Sequence, residues 1–371
     1  MRWTLDSREV RPGMGFVALK GTRADGRLFI PQARAAGAAD VIDGLDGLQR
    51  RAHARRRALK ATVVGVTGSS GKTTTKELLR AFLSAAGKTF ATEGNLNNHI
   101  GLPLTILNCP SDADFLVLEM GSNHPGEIAA LCEIAEPDVG VVTNVGTAHL
   151  EFFGTREGIA QEKGTLLQRA RLGFSSAACP FLPGTVDVRQ DWLRAALAGV
   201  LPGEHNVANA CLAFAVAAHF GVTRDKARAA LAGFSLPGAR WRKVVRNGVL
   251  YIDDAYNANP DAMCAALETL AATPCDGRRV AILGDMLELG PEAQAHHRRV
   301  FGRARALGLP LVVGVGPLSS RCACHRSFGD LAALKAGIGE LSLAAGDVVL
   351  LKASHAMGLG GLLDGQRSAG A

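Results

Sequence analysis

Short runs of β-branched and aliphatic residues recur along the chain at 62–66, 115–118, 139–143, 280–283 and 348–352, separated by longer stretches rich in Ala and Leu. Near-continuous apolar runs of four or five residues read as strands buried on both faces, and their alternation with helical stretches predicts an α/β fold of parallel sheets covered by helices. A basic helical stretch, 49–60, precedes the first of these strands, and further helices are expected around 76–80, from 205 onward and over 224–232. The turn-rich segment Leu236 to Arg240 separates the last of these from a strand at 249–252. Two boundaries follow, near residues 60 and 236, giving domains 1–60, 61–236 and 237–371. Since a single core stops growing at about 250–300 residues, more than one is expected for 371 residues. No internal repeat or low-complexity tract is present.

Composition narrows the picture by exclusion. Hydrophobic residues make up 47% and charged residues 20%, which excludes a chain disordered throughout. No apolar run reaches the roughly 18 residues of a membrane helix, and the first residues lack a signal-peptide pattern, so a cytoplasmic protein without membrane insertion is expected. The eight cysteines are too sparse for a disulfide scaffold and are expected to be reduced. Cys322, Cys324 and His325 have no second ligand pair, and a surface loop is the better reading than a metal cluster. The net charge of +7 comes entirely from residues 1–60, with 13 Lys/Arg against 6 Asp/Glu. Arg50, Arg51, Arg55, Arg56 and Arg57 lack interleaved aromatics, so a solvated helix face is favoured over a nucleic-acid patch.

Chemistry is concentrated after the first apolar run. Gly68, Ser69, Ser70, Gly71, Lys72, Thr73 and Thr74 form a glycine-rich loop between a strand and a helix. Such a loop lets backbone N–H groups curl around phosphate oxygens, Lys72 offsets phosphate charge, and the Thr73 hydroxyl can ligate Mg²⁺. ATP is the natural ligand. The spacing departs from the general phosphate-loop pattern at Val66, which occupies the first glycine position. Glu119 ends another apolar run, where a side chain can point across the sheet edge towards the loop. His205 and Asn206 open an Ala-rich helix, a context in which Asn206 caps the helix and Asn209 faces a ligand.

The loop from Thr67 to Thr74 resembles the nucleotide loop of the Mur ligases. Four further segments tie the resemblance to the branch that adds D-alanyl-D-alanine: Gly94 to Asn98, Leu118 to His124, Asp253 to Pro260 and Leu283 to Gly290. Asp6, Ser7 and Arg8, with Pro12-Gly13 and Phe16 to Gly21, are similar to the family's first domain, so the resemblance covers nearly the whole chain. It implies three domains: a UDP-sugar-binding N-terminal domain, a central P-loop domain and a Rossmann-like C-terminal domain that takes the incoming dipeptide. It further implies an ATP-dependent amide ligase of peptidoglycan synthesis, with UDP-N-acetylmuramoyl-tripeptide and D-Ala-D-Ala as substrates and no nucleic-acid partner. A monomer is expected.

By the same resemblance Thr73, Glu119, His149 and Lys163 serve Mg²⁺, with Lys163 carbamylated by CO₂. An ammonium cannot ligate Mg²⁺, whereas a carbamate presents anionic oxygen to it. Lys72, His149 and Lys163 are the implied catalytic group. Asn206 and Asn209 would meet the adenine, and Arg240 and Asp254 the γ-phosphate and ribose. Asp6, Ser7, Arg8, Asn95, Asn97 and Asn98 are the implied residues for the UDP-linked substrate, and Asn257, Asn259, Lys352 and Ser354 those for the dipeptide. Cations in or beside the first-domain motif, Arg8, Lys20 and Arg23, are placed to meet a diphosphate. The first domain and the 41 residues between Lys163 and His205 read as short for the family. A ligase for another carboxylate and amine is the alternative within the chemistry, and a P-loop switch or nucleic-acid ATPase the alternative outside it.

Overall fold

The computed structural model describes residues 1–21, 24–177, 179–238 and 240–363, so Arg23 lies outside the described residues. Three sheets carry the chain. The first is a three-stranded parallel sheet, β1 (Trp3–Thr4), β2 (Gly15–Ala18) and β3 (Asp40–Asp43), in that order. The second contains β4 (Thr62–Thr67), β5 (Thr89–Ala91), β6 (Phe115–Glu119), β7 (Val139–Val142) and β8 (Leu172–Ser175) in the order β5-β6-β4-β7-β8, all parallel. The third contains β9 (Arg242–Arg246), β10 (Val249–Asp253), β11 (Arg279–Gly284), β12 (Leu311–Val315), β13 (Arg326–Phe328) and β14 (Val348–Lys352) in the order β13-β12-β11-β14-β10-β9. Only the β9–β10 pair in it is antiparallel. The α/β architecture expected from the apolar runs is therefore observed, and the five strands read from them are β4, β6, β7, β11 and β14.

These elements divide into two compact units. One comprises residues 1–145, 157–190 and 208–232, the other 146–156, 191–207 and 233–371. Both strand faces of the second sheet are covered, and Val63, Leu116, Leu118, Ile128 and Leu166 are buried in one cluster that also takes in Trp3, Val17 and Leu48 from the first sixty residues. The other unit has its own core of Val280, Ile282, Val313, Val349 and Leu351. No helix among the described residues is long and apolar enough to cross a membrane.

The arginine run lies on the helix Gly44–Ala58 and is not simply a solvated face. Arg56 is buried, and its guanidinium donates to the carbonyls of Ala135 (2.7 Å) and Glu136 (2.8 Å) and to the Asp138 carboxylate (3.0 Å). Arg55 donates to the Cys109 carbonyl, and Arg51 pairs with Asp40. The expectation of solvated cations holds for Arg50 and Arg57, which are exposed. Arg56 departs from it because three acceptors, two of them at the C-terminal end of the helix Glu127–Ala135, lie within reach of a side chain long enough to be desolvated and still fully hydrogen-bonded.

Candidate active site

The phosphate loop leaves β4 at Thr67 and enters the helix Lys72–Leu83. Two of its glycines are demanded by geometry. Gly68 has φ 144°, and a Cβ there would meet the Thr143 hydroxyl at 1.9 Å; Gly71 has φ 76°, and a Cβ there would meet the Asn209 amide at 2.6 Å. The loop is held open from β7: Ser69 and Ser70 donate their N–H groups to the carbonyl and side-chain oxygen of Asn144, Asn144 donates to the Ser70 hydroxyl, and Thr143 donates to the Ser70 carbonyl. Lys72 curls back to donate to the Gly68 carbonyl at 2.7 Å, across the concavity where phosphate oxygens would sit. Asn209 is buried against the same loop.

Glu119, the last residue of β6, meets this loop. Thr73 donates its hydroxyl to Glu119 Oε2 at 2.9 Å, and Asn97 donates its side-chain amide to Oε1 at 2.9 Å. A hydroxyl and a carboxylate side by side are hard oxygen donors of the kind Mg²⁺ takes, and they offer too few ligands to cage it alone. That suits a cation which keeps waters and shares its shell with a nucleotide's phosphates. Among the described residues no group of three or more His, Cys, Asp or Glu is assembled to hold a metal, the Cys322–His325 segment included. All eight cysteines are free.

Lys163 sits on the helix Arg156–Arg169 and is 1% exposed. Its ammonium donates to the carbonyl (3.1 Å) and hydroxyl (2.5 Å) of Ser122. Burial, with the charge of Lys72 second, pulls its pKa from the ordinary lysine value down to about 7. A desolvated amine of this kind is a substantial fraction uncharged near neutrality. Its neighbour Glu162 is buried and accepts the backbone N–H groups of Gly126 and Ile128, so it braces the loop after Ser122.

The second unit holds the remaining candidates. His149 has φ 59°, uncommon for a residue with a Cβ, and its Nδ1 lies 2.8 Å from Oε2 of Glu288, itself at φ 60°. The loop that carries His149 is tied down by Thr147, whose N–H and hydroxyl both donate to Asp261. Lys352 donates to the Asp254 carboxylate at 2.5 Å and to the Asn257 carbonyl at 3.2 Å. Arg240 stacks its guanidinium 3.5 Å over the Tyr256 ring. Arg240 also borders an open cleft of about 900 Å³, lined in part by Trp241, Arg242 and His355.

The first unit thus gathers Gly68 to Thr74, Asn97, Glu119 and Asn209 around one loop, with Lys163 buried at Ser122; His149, Arg240, Asp254 and Lys352 belong to the second. Several residues have local tasks that their types allow. Asp6 accepts the N–H and guanidinium of Arg8, which lowers its pKa to about 2, and Ser7 donates to Gln32. Asn98 accepts the N–H groups of Ile100 and Gly101 through Oδ1 just ahead of the helix Gly101–Asn108. Asn259 caps the helix Pro260–Ala272, and the Ser354 hydroxyl accepts the N–H of Leu287. Asn206 is not a cap: the helix starts at Glu204, so its amide reaches back to the Pro202 carbonyl instead. Asn144, Ser122 and Glu288 went unassigned on sequence; Asn144 alone carried a local signal, a polar residue immediately after an apolar run.

Comparison with known proteins identifies the family. Family models match residues 3–78 (Mur ligase family, catalytic domain), 66–176 (Mur ligase middle domain) and 239–355 (Mur ligase, glutamate ligase domain). The UDP-N-acetylmuramoyl-tripeptide–D-alanyl-D-alanine ligase of Escherichia coli K12 is 34% identical over 88% of this chain and 84% of its own length. The protein of the same name from Mycobacterium bovis is 36% identical over 97% and 90%. A crystal structure of the MurF ligase from Thermotoga maritima in complex with ADP superposes with a TM-score of 0.83 at 31% identity, covering 98% of this chain and 96% of that one. With a phosphate loop, a strand-end carboxylate and a buried lysine in place, and relatives matched over most of their length, the chain belongs to the Mur ligase family.

Proposed function

We infer that this protein is an ATP-dependent amide ligase that joins D-alanyl-D-alanine to UDP-N-acetylmuramoyl-tripeptide, the step that completes the peptidoglycan precursor pentapeptide. Through that product it serves cell wall synthesis, cell shape and division, and its place of action is the cytoplasm. The observation that carries the reading is the match, over at least 84% of their own length, to relatives bearing that name, joined to a phosphate loop with its lysine, threonine and facing glutamate in place. A carboxylate is a poor acceptor for an amine. The reaction therefore transfers the ATP γ-phosphoryl group to the tripeptide's terminal carboxylate, releasing ADP. The dipeptide amine then attacks the acyl carbon, the amide bond forms and inorganic phosphate leaves. Catalysis of this kind is mainly positioning and charge neutralisation.

The residues are assigned as the family resemblance implies, and the loop geometry supports the first of them. The loop N–H groups and Lys72 bind and align the transferring phosphates. Thr73 and Glu119 would hold Mg²⁺, which when bound neutralises phosphate charge and orients the two oxygens between which the group moves. By the family resemblance His149 is assigned to metal binding, and Asn209, Asn206, Arg240 and Asp254 to the nucleotide. Asp6, Ser7, Arg8, Asn95, Asn97 and Asn98 are assigned to the UDP-linked substrate, and Asn257, Asn259, Lys352 and Ser354 to the dipeptide. The domains are assigned as UDP-substrate (1–60), ATP (61–236) and dipeptide (237–371).

Lys163 is proposed to act as a carbamate. Its uncharged amine attacks CO₂, a C–N bond forms, one proton passes to water, and the product carries the negative charge a Mg²⁺ site needs. Burial beside Ser122 and a pKa near 7 support this, since an ordinary surface lysine would be fully protonated and unreactive. The test of the whole reading is ADP release across a panel of UDP-muramoyl peptides and dipeptides. Turnover confined to the tripeptide with D-Ala-D-Ala is expected, and a preference for an unrelated acid and amine would overturn it.

A further inference from the structure

The mechanism leaves the buried cation Lys76 without a task. Lys76 lies on the helix that begins the phosphate site and is 0% exposed. Its ammonium donates to the Thr92 carbonyl at 2.6 Å and pairs with Glu77 at 2.8 Å. A charge so buried is costly unless it is paired and hydrogen-bonded, and this one has both an ion pair and a carbonyl acceptor. What it grips is informative. Thr92 extends the edge of the sheet one residue beyond β5: its N–H donates to the Val117 carbonyl at 2.9 Å, and its hydroxyl oxygen accepts the Glu119 N–H at 3.0 Å. Five residues on, Asn97 donates its amide to the Glu119 carboxylate, and its own carbonyl accepts the Gly121 N–H at 2.8 Å.

The segment from Thr92 to Asn97 is therefore stitched to β6 on both sides of Glu119. One helix acts on that glutamate at two points: Thr73 holds a carboxylate oxygen, and Lys76, three residues later, holds the segment that anchors the backbone and the other oxygen.

We propose that Thr92, braced by Lys76, is a positioning residue that fixes Glu119 for the magnesium-bound nucleotide. This rests on the reading of Glu119 as part of the Mg²⁺ site. Partners that orient a metal-binding carboxylate govern metal affinity without touching the metal.

The experiment compares Thr92→Val, which keeps the shape and removes the acceptor, with Thr92→Ser, which keeps the oxygen, and with Glu119→Gln. ADP affinity is measured by calorimetry in excess Mg²⁺ and again in EDTA. Thr92→Val is expected to lose about tenfold in affinity with Mg²⁺ and to match the unaltered protein in EDTA, while Thr92→Ser stays within about threefold in both. Lys76→Met should follow Thr92→Val where it folds; the threonine pair carries the test if it does not. If Thr92→Val keeps the full Mg²⁺-dependent gain while Glu119→Gln loses it, the positioning role is wrong and the glutamate's role stands. If Thr92→Val weakens binding equally with and without Mg²⁺, the bracket is structural and the proposal fails. If Glu119→Gln itself keeps the gain, both readings fall.

Discussion

Lys72 and Lys163 show how far apart two candidate-site lysines can be in legibility. Lys72 is readable from its neighbours, because a glycine-rich turn between a strand and a helix builds its phosphate geometry locally. Lys72→Ala should lower turnover by at least about 10²-fold with an unchanged melting temperature, since the side chain contributes charge to phosphoryl transfer and little to the core. Near-normal ADP production by the folded variant would contradict the assignment. Lys163 gave no local sign of burial; its surroundings come from Ser122, 41 positions earlier, and only the family resemblance singled it out. Its pKa near 7 has a consequence for stability. The unfolded chain keeps this proton up to the ordinary lysine range, so between about pH 7 and 10 it binds more protons than the folded one, and folding gains stability as the pH rises through that window. In metal-free, bicarbonate-free buffer, urea unfolding should show Lys163→Met more stable than the unaltered protein at pH 6.5, with the gap narrowing steadily as the pH rises towards 10. A gap constant with pH would show that the ammonium is not desolvated.

At the scale of elements, the buried parallel strands were legible because apolar runs of four or five residues between helices allow few other structures. The edges were not. β13 is three residues long and largely exposed, and β9 is a charged strand whose only strong signal was the turn that follows it: Asn247 and Gly248 both have positive φ, as a tight hairpin requires. The helix Gly44–Ala58 teaches a related lesson. Its arginines read as a solvated face because sequence periodicity carries no record of distant carbonyls, and Arg56 finds its acceptors 79 to 82 positions away. Arg56→Met should cost about 2–3 kcal/mol of stability by removing a buried charge that satisfies three acceptors, and it should leave ADP affinity unaltered. Urea unfolding and calorimetry check the two parts; an unchanged unfolding midpoint would mean that the contact contributes nothing.

For the molecule as a whole, the excess of positive charge in the first sixty residues raised two readings, a diphosphate-bearing substrate or a nucleic acid. Arg51, Arg55 and Arg56 are already engaged by the protein's own acceptors, which removes much of the basic run from any outside partner. The full-length protein should therefore bind UDP-N-acetylmuramoyl-tripeptide at physiological salt and show no measurable affinity for a DNA or RNA oligomer. Sequence-independent binding that falls steeply with salt would be the opposite result.

The family was legible through the motifs spread from Asp6 to Ser354, and the α/β fold through the apolar runs. Which residues those motifs hold together was not, because Asn97 reaches Glu119 and Thr147 reaches Asp261 only in the folded chain. The central claim, that these parts make one amide ligase, is tested most directly by quantifying ADP and the amide product in the same reaction. With ATP, UDP-N-acetylmuramoyl-tripeptide and D-Ala-D-Ala all present, the two should appear in equal amounts, and omitting any one substrate should abolish the amide. ADP formed at the same rate without the dipeptide and the UDP-linked peptide, with no amide accumulating, would contradict it.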